Sequence, residues 1–255
     1  MATFKRFLIL LIIACISVTA ASAQSNTQSS TQSNTQSADS QNKSDEKTVE
    51  ESYLQEAIEL MIIRETSQSA SMDQKLLALQ YIGEAIDRGN TSDDIRQALE
   101  YLSMEGLTNQ ARENGRMVNN FPLVRREAAR YLGKLGTPEA QAALINICKY
   151  EPEPMVLQEA IKALGDNASE NSDKALDAIV WITGRFDVLN PDNLMALAAV
   201  DSIAKIADKG GFKTPGAAAL LIRIADGPYI KPVQNRAKQV LSDLRKVSSQ
   251  QNKDK

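Results

Sequence analysis

The sequence predicts an all-α fold of stacked helix pairs, and three observations carry that prediction. The 255 residues are 43% apolar but only 5% aromatic, with 12 glycines and 8 prolines, a composition too aliphatic and alanine-rich for a β-sandwich. Beyond Thr48 the chain divides into about ten short segments with helical start and stop signals. Five of those segments superpose without gaps, with alanine at one phase in all five. The chain also has no histidine, which excludes Ser-His-Asp and Cys-His catalysis, histidine metal sites and histidine pH switching.

The elements follow in chain order. Lys5 and Arg6 precede an apolar run from Phe7 to Val18, and Ala21-Ser22-Ala23 supplies a cleavage site before Gln24. Residues 1–23 therefore read as a secretory signal peptide, too short and wrongly flanked for a membrane span. An alternative uses Ile12-Ile13-Ala14-Cys15, which resembles a bacterial lipobox and would place a lipid anchor on Cys15. Either reading sends the protein out of the cytoplasm, to the periplasm or cell envelope, with secretion or lipid anchoring as the alternatives. With residues 1–23 removed, 27 basic residues face 32 acidic ones, a net charge of −5 that argues against a nucleic-acid ligand. Residues 24–47 hold 18 Ser, Thr, Gln or Asn out of 24 and have nothing to bury, so they read as a disordered linker.

The folded part is expected over residues 48–247, with residues 248–255 a polar tail. Helix starts are marked by Ser71, Ser92, Pro122, Thr137-Pro138, Pro154, Ser172-Asp173, Asn190-Pro191 and Thr214-Pro215. Stops are marked by Gly89, Gly106, Gly136, Gly165 and Gly210-Gly211. First helices of the pairs are placed at about 50–64, 92–105, 138–149, 173–186 and 215–226. Leu54, Ile58, Met61 and Ile62 form the apolar stripe of the first of these, and Trp181 lies beside the stripe of the fourth, as a packing residue. Residues 106–121 read as an inserted loop carrying Arg112 and Arg116.

The second helices align when position zero is set at Gln74, Val124, Val156, Met195 and Val233. Position four is then Ala78, Ala128, Ala160, Ala199 and Ala237; position eight is Ile82, Leu132, Leu164, Ile203 and Leu241. Positions zero, four and eight share one stripe at 100° per residue. Position nine is small in every copy (Gly83, Gly133, Gly165, Ala204, Ser242), which lets a neighbouring backbone approach.

The stretch Val124-Arg125-Arg126-Glu127-Ala128-Ala129-Arg130-Tyr131-Leu132-Gly133, running into Thr137-Pro138-Glu139-Ala140, resembles HEAT repeats, and residues 156–165 repeat its pattern. The resemblance implies a right-handed α-solenoid of about five HEAT-like helix pairs. The Val-Arg pair that opens the second helix in that family stands here only as Val124-Arg125, the other copies having Lys75, Leu157, Ala196 and Gln234, so no regular arginine ladder between repeats is expected.

Function is read from that architecture. The resemblance implies a non-catalytic scaffold that binds another protein through its concave face. The alternatives are a structural envelope component tethered by the linker and an enzyme, since bilin lyases and DNA glycosylases include HEAT-like folds. Positions two, six and ten of each second helix lie opposite the buried stripe, which makes Arg126, Arg130, Lys134, Lys162, Asp201 and Lys205 the candidate partner-binding residues. The cluster of positive charge among them suits an acidic protein surface. No phosphate loop, no C-x-x-C pair and no metal-ligand cluster stands out, so no cofactor or metal is expected. Glu151 and Glu153 read as carboxylates beside a helix start. Cys148 reads as a small buried hydrophobe.

Overall fold

The computed structural model describes residues 48–186, 191–210 and 214–251, with side chains as far as residue 246. The expectations for the signal peptide, for Cys15 and for the linker lie outside the described residues. Residues 47–255 form one compact unit. Its helices are α1 (Val49–Gln68), α2 (Met72–Asp87), α3 (Asp93–Ser103), α4 (Pro122–Leu135), α5 (Pro138–Tyr150), α6 (Pro154–Asp166), α7 (Asp173–Phe186), α8 (Asn193–Asp208), α9 (Pro215–Asp226) and α10 (Lys231–Gln251). Each odd-numbered helix packs on the even-numbered helix that follows it. The odd helices stack on one another in sequence, and so do the even ones, giving five pairs in two layers. The protein is an all-α solenoid.

Local chemistry explains where the helices begin. Thr48 and Glu51 form a reciprocal capping box: the Glu51 amide donates to Thr48 Oγ1 at 3.2 Å and the Thr48 amide to Glu51 Oε2 at 3.1 Å. Proline opens α4, α5, α6 and α9, where its missing N–H costs nothing. Two signals are corrected. The helix expected to start at Asn190-Pro191 starts at Asn193, because Asp192 caps it by accepting from the amides of Leu194 and Met195. Gly165, expected as a stop, lies inside α6 and is a packing position. α10 runs on to Gln251, past the expected end of the fold at residue 247.

The repeat register organises the core. All five position-four alanines are fully buried, as are Ile82, Leu132, Leu164 and Ile203 at position eight. In the first three copies position nine is glycine and receives position seven of the next copy. A Cβ on Gly83 would collide with Tyr131, one on Gly133 with the Ala163 backbone at 2.8 Å, and one on Gly165 with the Ser202 backbone at 2.7 Å. The second helices therefore touch at backbone distance between α4 and α6 and between α6 and α8, while between α2 and α4 the glycine makes room for the Tyr131 side chain.

The ends and the outer layer depart from expectation. Leu54, Ile58 and Met61 are 64, 57 and 67% exposed, because α1 buries the opposite side, Ile63 and Ser67, and among the described residues no helix precedes it. Trp181 is 49% exposed, with the Arg185 guanidinium 5.6 Å from its ring, and is not a core residue. Cys148 is buried as expected, and burial pushes its thiol up to about 12. The unfolded thiol ionises near 9, so this group's stabilising contribution is complete below that pH and is lost as pH climbs towards 12. Native protein is expected to resist alkylation at neutral pH and to be labelled at once in denaturant. Fast labelling of the native fold would show that the α5 packing opens.

Residues 106–121 are more ordered than a loop. Arg112–Glu113 (β1) and Arg116–Met117 (β2) pair antiparallel, and Asn114 and Gly115 between them both sit at positive φ, as tight hairpin turns require. Asn119 ties the base, accepting from the Ala111 amide at 2.8 Å and donating to the Asn109 carbonyl at 2.6 Å. Replacing residues 108–118 by a short Gly/Ser link is expected to leave the helical circular dichroism unchanged, since the hairpin is exposed. Global unfolding would show that it belongs to the core.

Candidate protein-binding surface

Beneath the hairpin runs a buried polar network that begins at position one of the second helices. Lys75 Nζ pairs with Glu105 Oε2 at 2.8 Å and donates to the Ser67 carbonyl at 2.8 Å, both groups being shielded from water. Arg125 grips Glu151 with two parallel bonds, Nε to Oε2 at 2.7 Å and Nη2 to Oε1 at 3.0 Å, at zero exposure on both sides. Its remaining nitrogen donates to the Glu105 carbonyl and to Asn120 Oδ1. Asn119 donates to Glu105 Oε1 at 2.9 Å, which joins the hairpin base to the network.

No regular arginine ladder forms, as the sequence indicated, but position one still carries two ionic rungs at the front of the solenoid. Lys75 and Arg125 are equivalent rungs, each reaching the carbonyl end of its own first helix and a glutamate of the next pair. In the last copy Gln234 makes the first of those contacts alone, donating to the Gly227 carbonyl at 2.7 Å. Leu157 and Ala196 fill the same position with buried apolar groups. Glu151 does sit beside the start of α6, where it accepts from the Glu153 amide at 3.0 Å, and it is at the same time the buried acid of the second rung.

The face opposite the core is where the sequence placed it, and the stacking brings its charges into pairs. Lys134 bonds Asp87 of the preceding copy at 2.9 Å, Lys205 bonds Asp166, and Asp201 accepts from Arg236 of the following copy at 2.7 Å. Arg126 and Arg130 share Glu127, and Lys162 lies 3.5 Å from Glu159. All these pairs are solvent-exposed to a substantial degree, a setting in which an ion pair is worth about 0–1 kcal/mol. An incoming carboxylate can therefore replace Glu127 or Asp87 at little expense.

Sequence reasoning passed over Tyr131, which the fold makes the centre of this patch. Its ring lies 4.9 Å from the Arg130 guanidinium and 5.5 Å from Lys134 Nζ, and its edge rests on Gly83 of the neighbouring helix. The signal that would have found it is position seven of the repeat, which faces a glycine at position nine of the preceding copy here and at the next two steps.

Among the described residues no group of acidic, cysteine or histidine side chains is placed to hold a metal, and no helix is long and apolar enough to cross a membrane. No curated protein matches the chain. Residues 115–190, which hold the second rung, Tyr131 and most of the charged face, match the family model of HEAT repeats, the family that the pairing and register of this solenoid resemble.

Proposed function

We propose that this protein is an exported, non-catalytic scaffold that holds another protein through the face formed by its second helices, centred on Tyr131. HEAT repeats in general mediate protein–protein interaction, and the matched stretch covers this patch. The observation that carries the reading is Tyr131 itself, a rigid, half-buried aromatic flanked by two exposed cations, the combination that dominates binding energy at protein interfaces. Arg126, Arg130, Lys134 and Lys162 outnumber the acids that pair with them, which favours a partner with an acidic surface. The charged start, apolar run and Ala-x-Ala site support export to the periplasm or envelope.

Recovery of the partner from an envelope fraction by parent and by the double variant Arg126→Glu/Arg130→Glu tests the surface. The variant is expected to lose about tenfold or more in capture while melting like the parent, since exposed charges contribute little to stability. Equal recovery by a folded variant moves the binding surface elsewhere. Intact mass tests the export route: a mature terminus at Gln24 supports cleavage, and an acylated Cys15 supports the lipid anchor.

A further inference from the structure

The two ends of the solenoid are unlike and complementary. At the front, α1 turns Leu54 and Ile58, one turn apart, to solvent on the side away from its core contacts, with Met61 beside them at the rim of the groove towards α3. A terminal repeat ordinarily has a polar outer face. These apolar side chains are rimmed by carboxylates: α1 carries five glutamates against one arginine, a net of −4. At the back, a groove between α9 and α10 is lined by Ile222 and Leu241 and by three cations, Lys238, Arg245 and Lys246, against one acid, Asp226. Here α10 carries five basic residues against one aspartate, a net of +4.

The repeat register gives the contact a geometry. Within the molecule, position seven of the second, third and fourth copies settles on the glycine at position nine of the copy before it: Tyr131 on Gly83, Ala163 on Gly133 and Ser202 on Gly165. The last copy presents Ser242 at position nine, exposed and lining the same groove. The first copy presents Tyr81 at position seven, half-buried. Both halves of the repeat-to-repeat contact are thus present, one at each end.

We propose that the protein stacks head to tail on a second copy of itself, the outer face of α1 and α2 seating on α9 and α10 of the neighbour with Tyr81 over Ser242. An isologous contact of α1 with α1 would oppose two surfaces of −4, and one of α10 with α10 two of +4, so charge selects the heterologous arrangement. Residues 24–47 are not a competing cover, because they hold almost no apolar side chains.

Sedimentation velocity on the full chain as its cell processes it tests this, with a front variant (Leu54→Glu/Ile58→Glu) and a back variant (Lys238→Glu/Lys246→Glu). These side chains are exposed, so unchanged circular dichroism certifies the fold of each variant. The parent is expected to form a concentration-dependent series extending beyond dimers, weakened about tenfold or more by raising salt. Each variant alone should be monomeric, and an equal mixture should form dimers and stop there, since one intact front meets one intact back. A dimer that survives in the back variant would mean α1-to-α1 contact and overturn the proposal. So would a parent that stays monomeric at every concentration, or a mixture that fails to associate.

Discussion

Arg125→Ala is expected to destabilise the fold by about 3–5 kcal/mol, because it strands the Glu151 carboxylate in a site that water does not reach. The Glu105 carbonyl and Asn120 lose their donors in the same step. For a fold of this size that corresponds to a fall in melting temperature on the order of 10 °C. Two controls separate the causes. Arg125→Met with Glu151→Leu removes both charges and should cost much less, since a well-packed apolar pair often replaces a buried ion pair with little loss. Lys134→Ala breaks the exposed pair with Asp87 and should cost about 0–1 kcal/mol. Thermal unfolding of the three variants checks the order; an Arg125→Ala protein that melts like the parent would mean the rung does not form.

Gly165→Ala sets two opposing effects against each other. Alanine favours the helix by about 1 kcal/mol over glycine, yet here its methyl would meet the Ser202 backbone at 2.7 Å, and overpacking of that kind costs about 1–3 kcal/mol. The steric effect should win, because the obstacle is a second helix and has no rotamer to change. Ser202 is also held in place, donating from Oγ to the Ile161 carbonyl at 2.8 Å. Gly184→Ala in α7 meets nothing within 4 Å and should raise stability by about 0.5–1 kcal/mol. Opposite signs for the two substitutions in denaturant melts are the expected result, and two gains would show that the second-helix layer is looser than described.

The internal register was legible because it repeats: five alanines at one phase leave few alignments, and all five are buried. The exposure of Leu54, Ile58 and Met61 was not legible, since periodicity tells which side of a helix is apolar but not whether a neighbour stands against it. Trp181 escaped for the related reason that one residue beside a stripe has no periodicity of its own. The hairpin was within reach: Asn114-Gly115 is a strong turn signal, but it was overlooked inside a segment lacking helical pattern. As for the candidate surface, spacing alone set its residues on an exposed face. Their partners were hidden because Lys134 and Asp87, or Arg125 and Glu151, lie 47 and 26 positions apart and meet only after stacking. Lys75 looked like a departure from the arginine pattern although a lysine makes the same two contacts.

The ionic rungs stop after the third pair, so the two halves of the solenoid are held together by different means. Hydrogen bonds between Lys75, Glu105, Arg125 and Glu151 are directional, so the first three pairs cannot slide against one another without breaking several at once. At Leu157 and Ala196 the same position is apolar, and the rear pairs are joined by separate contacts, among them the buried hydrogen bond from Ser202 to the Ile161 carbonyl and the exposed pair of Arg236 with Asp201. Loss of one ionic group is therefore felt across all three front pairs, whereas loss of one rear contact stays local to the two helices it joins.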